Sequence, residues 1–69
     1  MKKLIELLES GMIKGKRNNA LAELLYNKNG RLVTSNLHYI NSAYNLKYLG
    51  VNVSIKRIDY SNKHIITID

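Results

Sequence analysis

The sequence predicts a small α+β domain in which three to four short helices precede a C-terminal β-hairpin. Two patterns lead to this fold class. Apolar residues recur at helical spacing through roughly the first fifty residues, and apolar and polar residues then alternate from Val51 onward. A chain of 69 residues, 45% of them hydrophobic and 23% charged, is long enough for one domain, residues 1–69, and too short for two.

The first two helices are predicted from two apolar stripes. The first stripe consists of Met1, Leu4, Ile5, Leu8 and Met12, and the second of Leu21, Leu24 and Leu25. Gly11 is expected to end the first helix, because glycine readily adopts the left-handed conformation of a helix C-terminus. Asn18 or Asn19 is expected to cap the second helix, which ends by Gly30. Residues 31–33 then form a short strand beside the hairpin, and Thr34 or Ser35 caps the next helix.

The segment from residue 35 to residue 49 admits two interpretations. On one continuous helix, the apolar residues before Asn41 lie roughly opposite to those after Ser42. The residues concerned are Leu37 and Ile40 before the break, and Ala43, Leu46 and Leu49 after it. A turn near Asn41 and Ser42 removes the conflict and gives helices 35–40 and 42–49, which is the arrangement we expect. The alternative is one long helix with a stripe of Val33, Leu37, Ile40, Tyr44 and Tyr48.

The hairpin is predicted from β-branched residues at every second position. Val51, Val53 and Ile55 alternate with polar residues, so one face of this strand packs and the other meets solvent. The alternation slips at Arg57, where a bulge or a strand end is expected. Residues 60–63 supply the turn, and Ile66 and Ile68 return along the sheet.

The chain is basic and its excess of positive charge is uneven. Eleven lysines and arginines oppose five acids, which gives a net charge of +6. Residues 1–23 carry five bases and three acids (+2), whereas residues 24–69 carry six bases and two acids (+4). An excess in the C-terminal half indicates an anionic partner. An abundance of asparagine, isoleucine and lysine is typical of AT-rich genomes and favours a bacterial or phage source.

Other classes of protein are disfavoured by residues that the sequence lacks. It has no cysteine, so we expect neither disulfides nor thiolate metal sites, and His38 and His64 are too far apart to indicate a metal site. No apolar run approaches the roughly 18 residues that cross a bilayer. Glu6 and Glu9 interrupt the N-terminal apolar stretch too early for a signal peptide, so we expect a cytoplasmic protein without membrane contact. No nucleophile–base pair or phosphate loop is visible, so we expect no cofactor and no enzyme activity.

Three segments carry a resemblance to a known superfamily. Gly30–Thr34 resembles the segment that leads into the helix-turn-helix of bacterial regulators. Asn45–Val53 resembles a recognition helix running into a wing strand, and the hairpin ending at Ile65–Ile68 is similar to a wing. The chain thus resembles a winged helix-turn-helix domain over about residues 18–68, through apolar and capping positions.

This resemblance implies a small transcriptional regulator that binds double-stranded DNA, alone or as a homodimer. Helix 42–49 would enter the major groove, with Ala43, Leu46 and Leu49 turned inward, and the wing, about residues 51–68, would lie on the phosphate backbone. The candidates for base contacts are Asn41, Tyr44, Asn45 and Tyr48. The candidates for phosphate contacts are Lys14, Lys16, Arg17, Arg31, Lys47, Lys56, Arg57, Lys63 and His64. The alternative is a small, phage-encoded inhibitor or adaptor that uses the same scaffold to bind a host protein.

Overall fold

A computed structural model describes residues 1–58 and 61–68, and these form three helices and one three-stranded antiparallel sheet. The helices are α1 (Lys2–Ser10), α2 (Lys16–Asn27) and α3 (Leu37–Tyr48). The strands are β1 (Arg31–Thr34), β2 (Val53–Arg57) and β3 (His64–Ile68). The predicted α+β class is therefore confirmed.

None of the described helices is long and apolar enough to cross a membrane. Tyr60, which was expected in the hairpin turn, lies outside the described residues.

Helix α1 ends where the sequence predicts but buries a slightly different face. Gly11 takes the left-handed conformation (φ 69°) and donates its N–H to the carbonyl of Leu7. Leu4 and Leu7 are buried, whereas the predicted stripe residue Met12 lies beyond the helix and is exposed. The chain turns at Gly11, so Ile13 takes the core position instead.

Helix α2 begins at Lys16, earlier than the predicted caps Asn18 and Asn19. Both asparagines lie within its first turn, and their amides donate backward to carbonyls of the preceding loop, at 2.9 Å to Lys14 and 2.8 Å to Ile13. Because these side chains satisfy carbonyls rather than accept from helix N–H groups, they close the loop and do not cap the helix.

Helix α3 is continuous, so the predicted break into helices 35–40 and 42–49 is wrong. The prediction assumed that Leu37 and Ile40 are both buried. Leu37 is 68% exposed, whereas Ile40, Ala43 and Leu46 are buried at a spacing of three residues. One helix therefore needs one buried face only. Leu49, also expected to face inward, is exposed beyond the helix end.

The cap of α3 also differs from the expected Thr34 or Ser35. The side chain of Asn36 accepts the N–H of His38 at 2.9 Å, and Thr34 accepts the N–H of Asn36 at 3.0 Å. The amide of Asn36 thus satisfies one of the orphan N–H groups of the first turn.

The strand order is β1-β3-β2, and the hairpin β2–β3 is regular up to the predicted strand end at Arg57. Val53, Ile66 and Ile68 point from the sheet toward the helices and are buried. Gly30 links α2 to β1 and is buried at φ 83°. A Cβ there would lie 3.0 Å from the carbonyl oxygen of Ile68, so glycine is required on both conformational and steric grounds.

One hydrophobic core joins the helices to the inner face of the sheet. Its residues are Leu4, Leu7, Ile13, Leu21, Ala22, Leu25, Ala43, Leu46, Val51, Val53, Ile66 and Ile68. Helix α3 lies between α2 and the sheet and contacts both, with Leu46 fully buried in between. The burial of this one helix therefore decides which of its residues remain outside.

The phase of α3 predicts a large loss of stability for one of its leucines and almost none for another. Leu46→Ala should lower the free energy of unfolding by about 2–5 kcal/mol, because it leaves a cavity at a fully buried position. Leu37→Ala should change it by less than about 0.5 kcal/mol. Urea denaturation monitored by circular dichroism measures the free energy of unfolding of both variants. Equal losses in the two would show that both leucines are buried, as the broken helix requires.

Candidate nucleic-acid interface

The four predicted base-contact residues lie on one exposed side of α3. At about 100° per residue, Asn41, Tyr44, Asn45 and Tyr48 fall within an arc of about 100°. All four are exposed, and Tyr48 is 88% exposed. Leu37 falls within the same arc. These five residues are called the outward face of α3, and its opposite side carries the buried Ala43 and Leu46.

A groove runs between α3 and the beginning of α2. One part of it, of about 320 Å³, is lined by Gly15, Lys16, Arg17, Asn18, His38, Asn41, Ser42 and Asn45. An adjoining part of about 430 Å³ is lined by Met12, Lys14, Asn18, Asn45 and Leu49. Asn18 and Asn45 line both parts, so the groove follows α3 from its first turn to its end. None of the described residues that line it is acidic.

The positive end of α2 opens into this groove. The cap residue Gly15 offers no side chain to the first N–H groups of the helix, and the first turn contains no acid. It contains Lys16 and Arg17 instead, where the helix dipole disfavours cations by about 0.3–1 kcal/mol each. This placement weakens an isolated helix, but it produces a strong local attraction for an anion.

The loop before α2 holds its cations toward solvent. Ile13 is buried and its carbonyl accepts from the amide of Asn19, so the loop is anchored at its centre. Lys14 and Lys16 lie on either side of the loop glycine and are exposed. Within the part of the chain that the structure describes, their ammonium groups have no hydrogen-bond or ion-pair partner.

Two side-chain hydrogen bonds connect the walls of the groove. The guanidinium of Arg17 donates to Nδ1 of His38 at 3.0 Å, and the amide of Asn45 donates to Oδ1 of Asn18 at 3.3 Å. Both pairs join α2 to α3. They position Arg17 and the beginning of α2 relative to α3.

The hairpin carries a second group of basic residues, on strands that pair toward β1 and the segment leading into α3. Arg57 pairs with His64, and His64 pairs in turn with Thr34, which lies two residues before the cap Asn36. Two strand spacings, about 10 Å, thus separate Arg57 from Thr34, the last residue of β1 before the chain leads into α3. Arg57, Lys63 and His64 are called the hairpin end.

Three hydrogen bonds order the residues of the hairpin end. The Nε of Arg57 donates to the carbonyl of Ser61 at 3.0 Å, and His64 Nδ1 donates to that of Asn62 at 3.0 Å. The N–H of Ile58 donates to the carbonyl of Lys63 at 2.9 Å. The turn therefore orders the guanidinium through its own backbone, and Lys63 remains exposed.

Three predicted phosphate contacts lie away from the groove. Arg31 and Lys56 point to the face of the sheet opposite to the helices, because alternate residues of a strand point to opposite sides. Lys56 and its neighbour Arg57 were expected to act together, but their side chains point to opposite faces of the sheet. Lys47 lies about 60° around α3 from Tyr44, at the margin of the outward face. The structure brings Lys14, Lys16 and Arg17 together with Asn41 and Asn45 in the groove, whereas Tyr44 and Tyr48 are not among its lining residues.

Leu37, Asn18 and His38 belong to this surface but were missing from the predicted sites. His38, Asn41 and Asn45 are spaced i, i+3 and i+7, so a continuous helix would have placed His38 in the polar stripe. Leu37 was assigned to the core on the assumption of a broken helix. No local pattern identifies Asn18, because its role depends on a residue 27 positions away.

Metal ligation would need several histidine or carboxylate side chains close together. In residues 1–58 and 61–68, no group of three or more histidines, aspartates or glutamates lies close enough to hold a metal ion. The polar groups that line the groove are the side chains of Lys14, Lys16 and Arg17, side-chain amides, an imidazole and a hydroxyl, which form hydrogen bonds and, at the cations, attract anions.

Comparison of the chain with models of protein families, with curated proteins and with solved structures finds no match in any of the three. The groove, the outward face of α3 and the distribution of charge are therefore the features from which a function can be inferred.

Proposed function

We propose that this chain is a DNA-binding regulator of the winged helix-turn-helix kind. In this proposal α3 lies in the major groove, α2 packs against it, and the hairpin β2–β3 is the wing. The observation that carries the proposal is the acid-free groove, in which the cationic start of α2 adjoins the exposed amides of Asn41 and Asn45 on α3. Phosphate contacts position a protein on DNA and base contacts specify sequence, so the two sets serve different purposes.

The dimensions of α3 support this proposal. Its 12 residues span about 18 Å, and the residues of its outward face are exposed along that length. The major groove of B-DNA, about 12 Å wide and about 8.5 Å deep, admits a helix of this kind. With α3 in the groove, Lys14, Lys16 and Arg17 approach the backbone on one side and the hairpin end approaches it near the first turn of α3.

In this proposal the chain is a binding module and not an enzyme. A single domain of this size makes few contacts, so a homodimer on two half-sites would raise its affinity without new chemistry. Neither a cofactor nor a metal ion is part of the proposed mechanism. The protein acts by occupying its DNA site.

Removal of the α2 cations should weaken DNA binding at every sequence. We expect the triple variant Lys14→Ala, Lys16→Ala, Arg17→Ala to bind a mixed-sequence duplex less tightly and with a flatter dependence on salt. The log–log slope should fall by about 0.9 for each phosphate that the variant no longer neutralises. Mobility shifts at several salt concentrations between about 50 and about 200 mM measure the affinity and its slope.

The matched control removes three lysines outside the groove: Lys2→Ala, Lys3→Ala, Lys28→Ala. It has the same net charge as the test variant, so general electrostatic attraction is equal in the two. Circular dichroism tests whether both variants are folded. Equal affinities and equal slopes for the two variants would contradict the proposed role of the α2 cations.

The separation of Lys56 from Arg57 gives a second test within the hairpin. Arg57→Ala should weaken duplex binding more than Lys56→Ala, because Arg57 belongs to the hairpin end and Lys56 points to the opposite side of the sheet. The two variants differ by one position and each loses one charge. A larger loss in Lys56→Ala would mean that the outer side of the sheet contacts the DNA.

A second candidate function is the docking of a host protein on the outward face of α3. The observation in its favour is the exposure of large apolar side chains there, 68% for Leu37 and 88% for Tyr48. In this case nuclease-treated lysate should still yield one stoichiometric protein partner, and Leu37→Ser with Tyr48→Ser should release it. Loss of every partner after nuclease treatment would count against docking.

A further inference from the structure

We infer that the DNA site of this protein is read at A·T base pairs, by Asn41 and Asn45 at adenine and by Leu37, Tyr44 and Tyr48 at the thymine methyl group. The inference rests on the proposed function and adds the class of sequence that the outward face of α3 recognises. It follows from the chemical groups that this face presents and from those that it lacks.

The outward face of α3 lacks the usual groups for G·C pairs. Guanine is most often read by an arginine or lysine that donates to its O6 and N7 atoms, and cytosine by a carboxylate that accepts from its amino group. Helix α3 contains no acid, and its one lysine, Lys47, lies at the margin of the outward face. The nearest arginine, Arg17, is on the other wall of the groove and donates to His38 at 3.0 Å.

The amides of Asn41 and Asn45 match the edge of adenine. Adenine offers an acceptor at N7 beside a donor at N6, and an asparagine amide pairs with both at once. Asn45 donates one amide hydrogen to Asn18, which orients the group and leaves its second hydrogen and its oxygen available. Asn41 makes no side-chain hydrogen bond to any of the residues that the structure describes, so its whole amide is available.

The apolar side chains of this face match the methyl group of thymine. Leu37, Tyr44 and Tyr48 are 68%, 47% and 88% exposed, although each has apolar surface that water solvates poorly. They lie within about 40° of one another around the helix and so form a stripe beside the amides. In the major groove only thymine presents a methyl group, so this stripe gains apolar contact at A·T pairs and not at G·C pairs.

The test is a mobility shift at one salt concentration with duplexes of equal length. An A·T-only duplex should bind at least about fivefold more tightly than a G·C-only duplex, the lower limit for one well-made base contact. Replacement of thymine by deoxyuridine removes only the methyl group, and replacement of adenine by 7-deazaadenine removes only the N7 acceptor. Each replacement should reduce the preference, and both modify the major groove alone.

Matched variants assign the effect to residues. Asn45→Ala and Asn41→Ala should each lower the ratio of A·T to G·C affinity and reduce the response to 7-deazaadenine, and the double variant should abolish that response. Leu37→Ala should reduce the response to deoxyuridine. Asn27→Ala, at the exposed end of α2, is the control and should behave as the unmodified chain.

The outcomes separate this inference from the proposed function. Equal, salt-dependent binding to all duplexes, or a preference for G·C, would overturn the inference and leave DNA binding in place. A preference for A·T that survives both base replacements would also overturn it, since the narrow minor groove of A·T tracts would then be read. Absence of binding to every duplex would overturn both proposals.

Discussion

The position of α3 between α2 and the sheet is the constraint on which the rest of this structure depends. Ala43 and Leu46 are fully buried, and a helix can present only one face to a core of this size. Once these two residues are fixed inside, the helix period fixes Asn41, Tyr44, Asn45 and Tyr48 outside. The outward face of α3 is therefore a consequence of packing. It carries the apolar rings of Tyr44 and Tyr48 because the core buries the opposite side of the helix.

The charge distribution runs against local stability. Lys16 and Arg17 lie at the positive end of α2, where acidic residues are normally favoured, and no side chain caps that end. A domain of 69 residues has little stability to lose, since small chains bury a smaller share of their surface. An anionic ligand at this position would relieve the repulsion, and the proposed DNA backbone supplies one.

The sheet divides cations that are close together in the sequence. Lys56 and Arg57 are neighbours, but the pleat sends them to opposite sides, and the pairing of β3 with β1 brings only Arg57 and His64 near the first turn of α3. The net charge of a segment is thus a poor guide to the field that a ligand meets. The number of cations that face one ligand depends on strand register and on which side of the sheet the helices cover.

The sequence by itself determined the fold class, the turns at Gly11 and Gly30, the short strand predicted at residues 31–33 and the regular alternation of β2. Each of these depends on local backbone preferences or on a short period, which neighbouring residues suffice to specify. Only the tertiary structure decided that α3 is one helix, because the exposure of Leu37 depends on the space that α2 and the sheet leave. The groove was equally inaccessible to sequence reasoning, since it joins Arg17 to His38 and Asn18 to Asn45 across 21 and 27 positions. Packing between distant segments creates such contacts, and no local pattern encodes them.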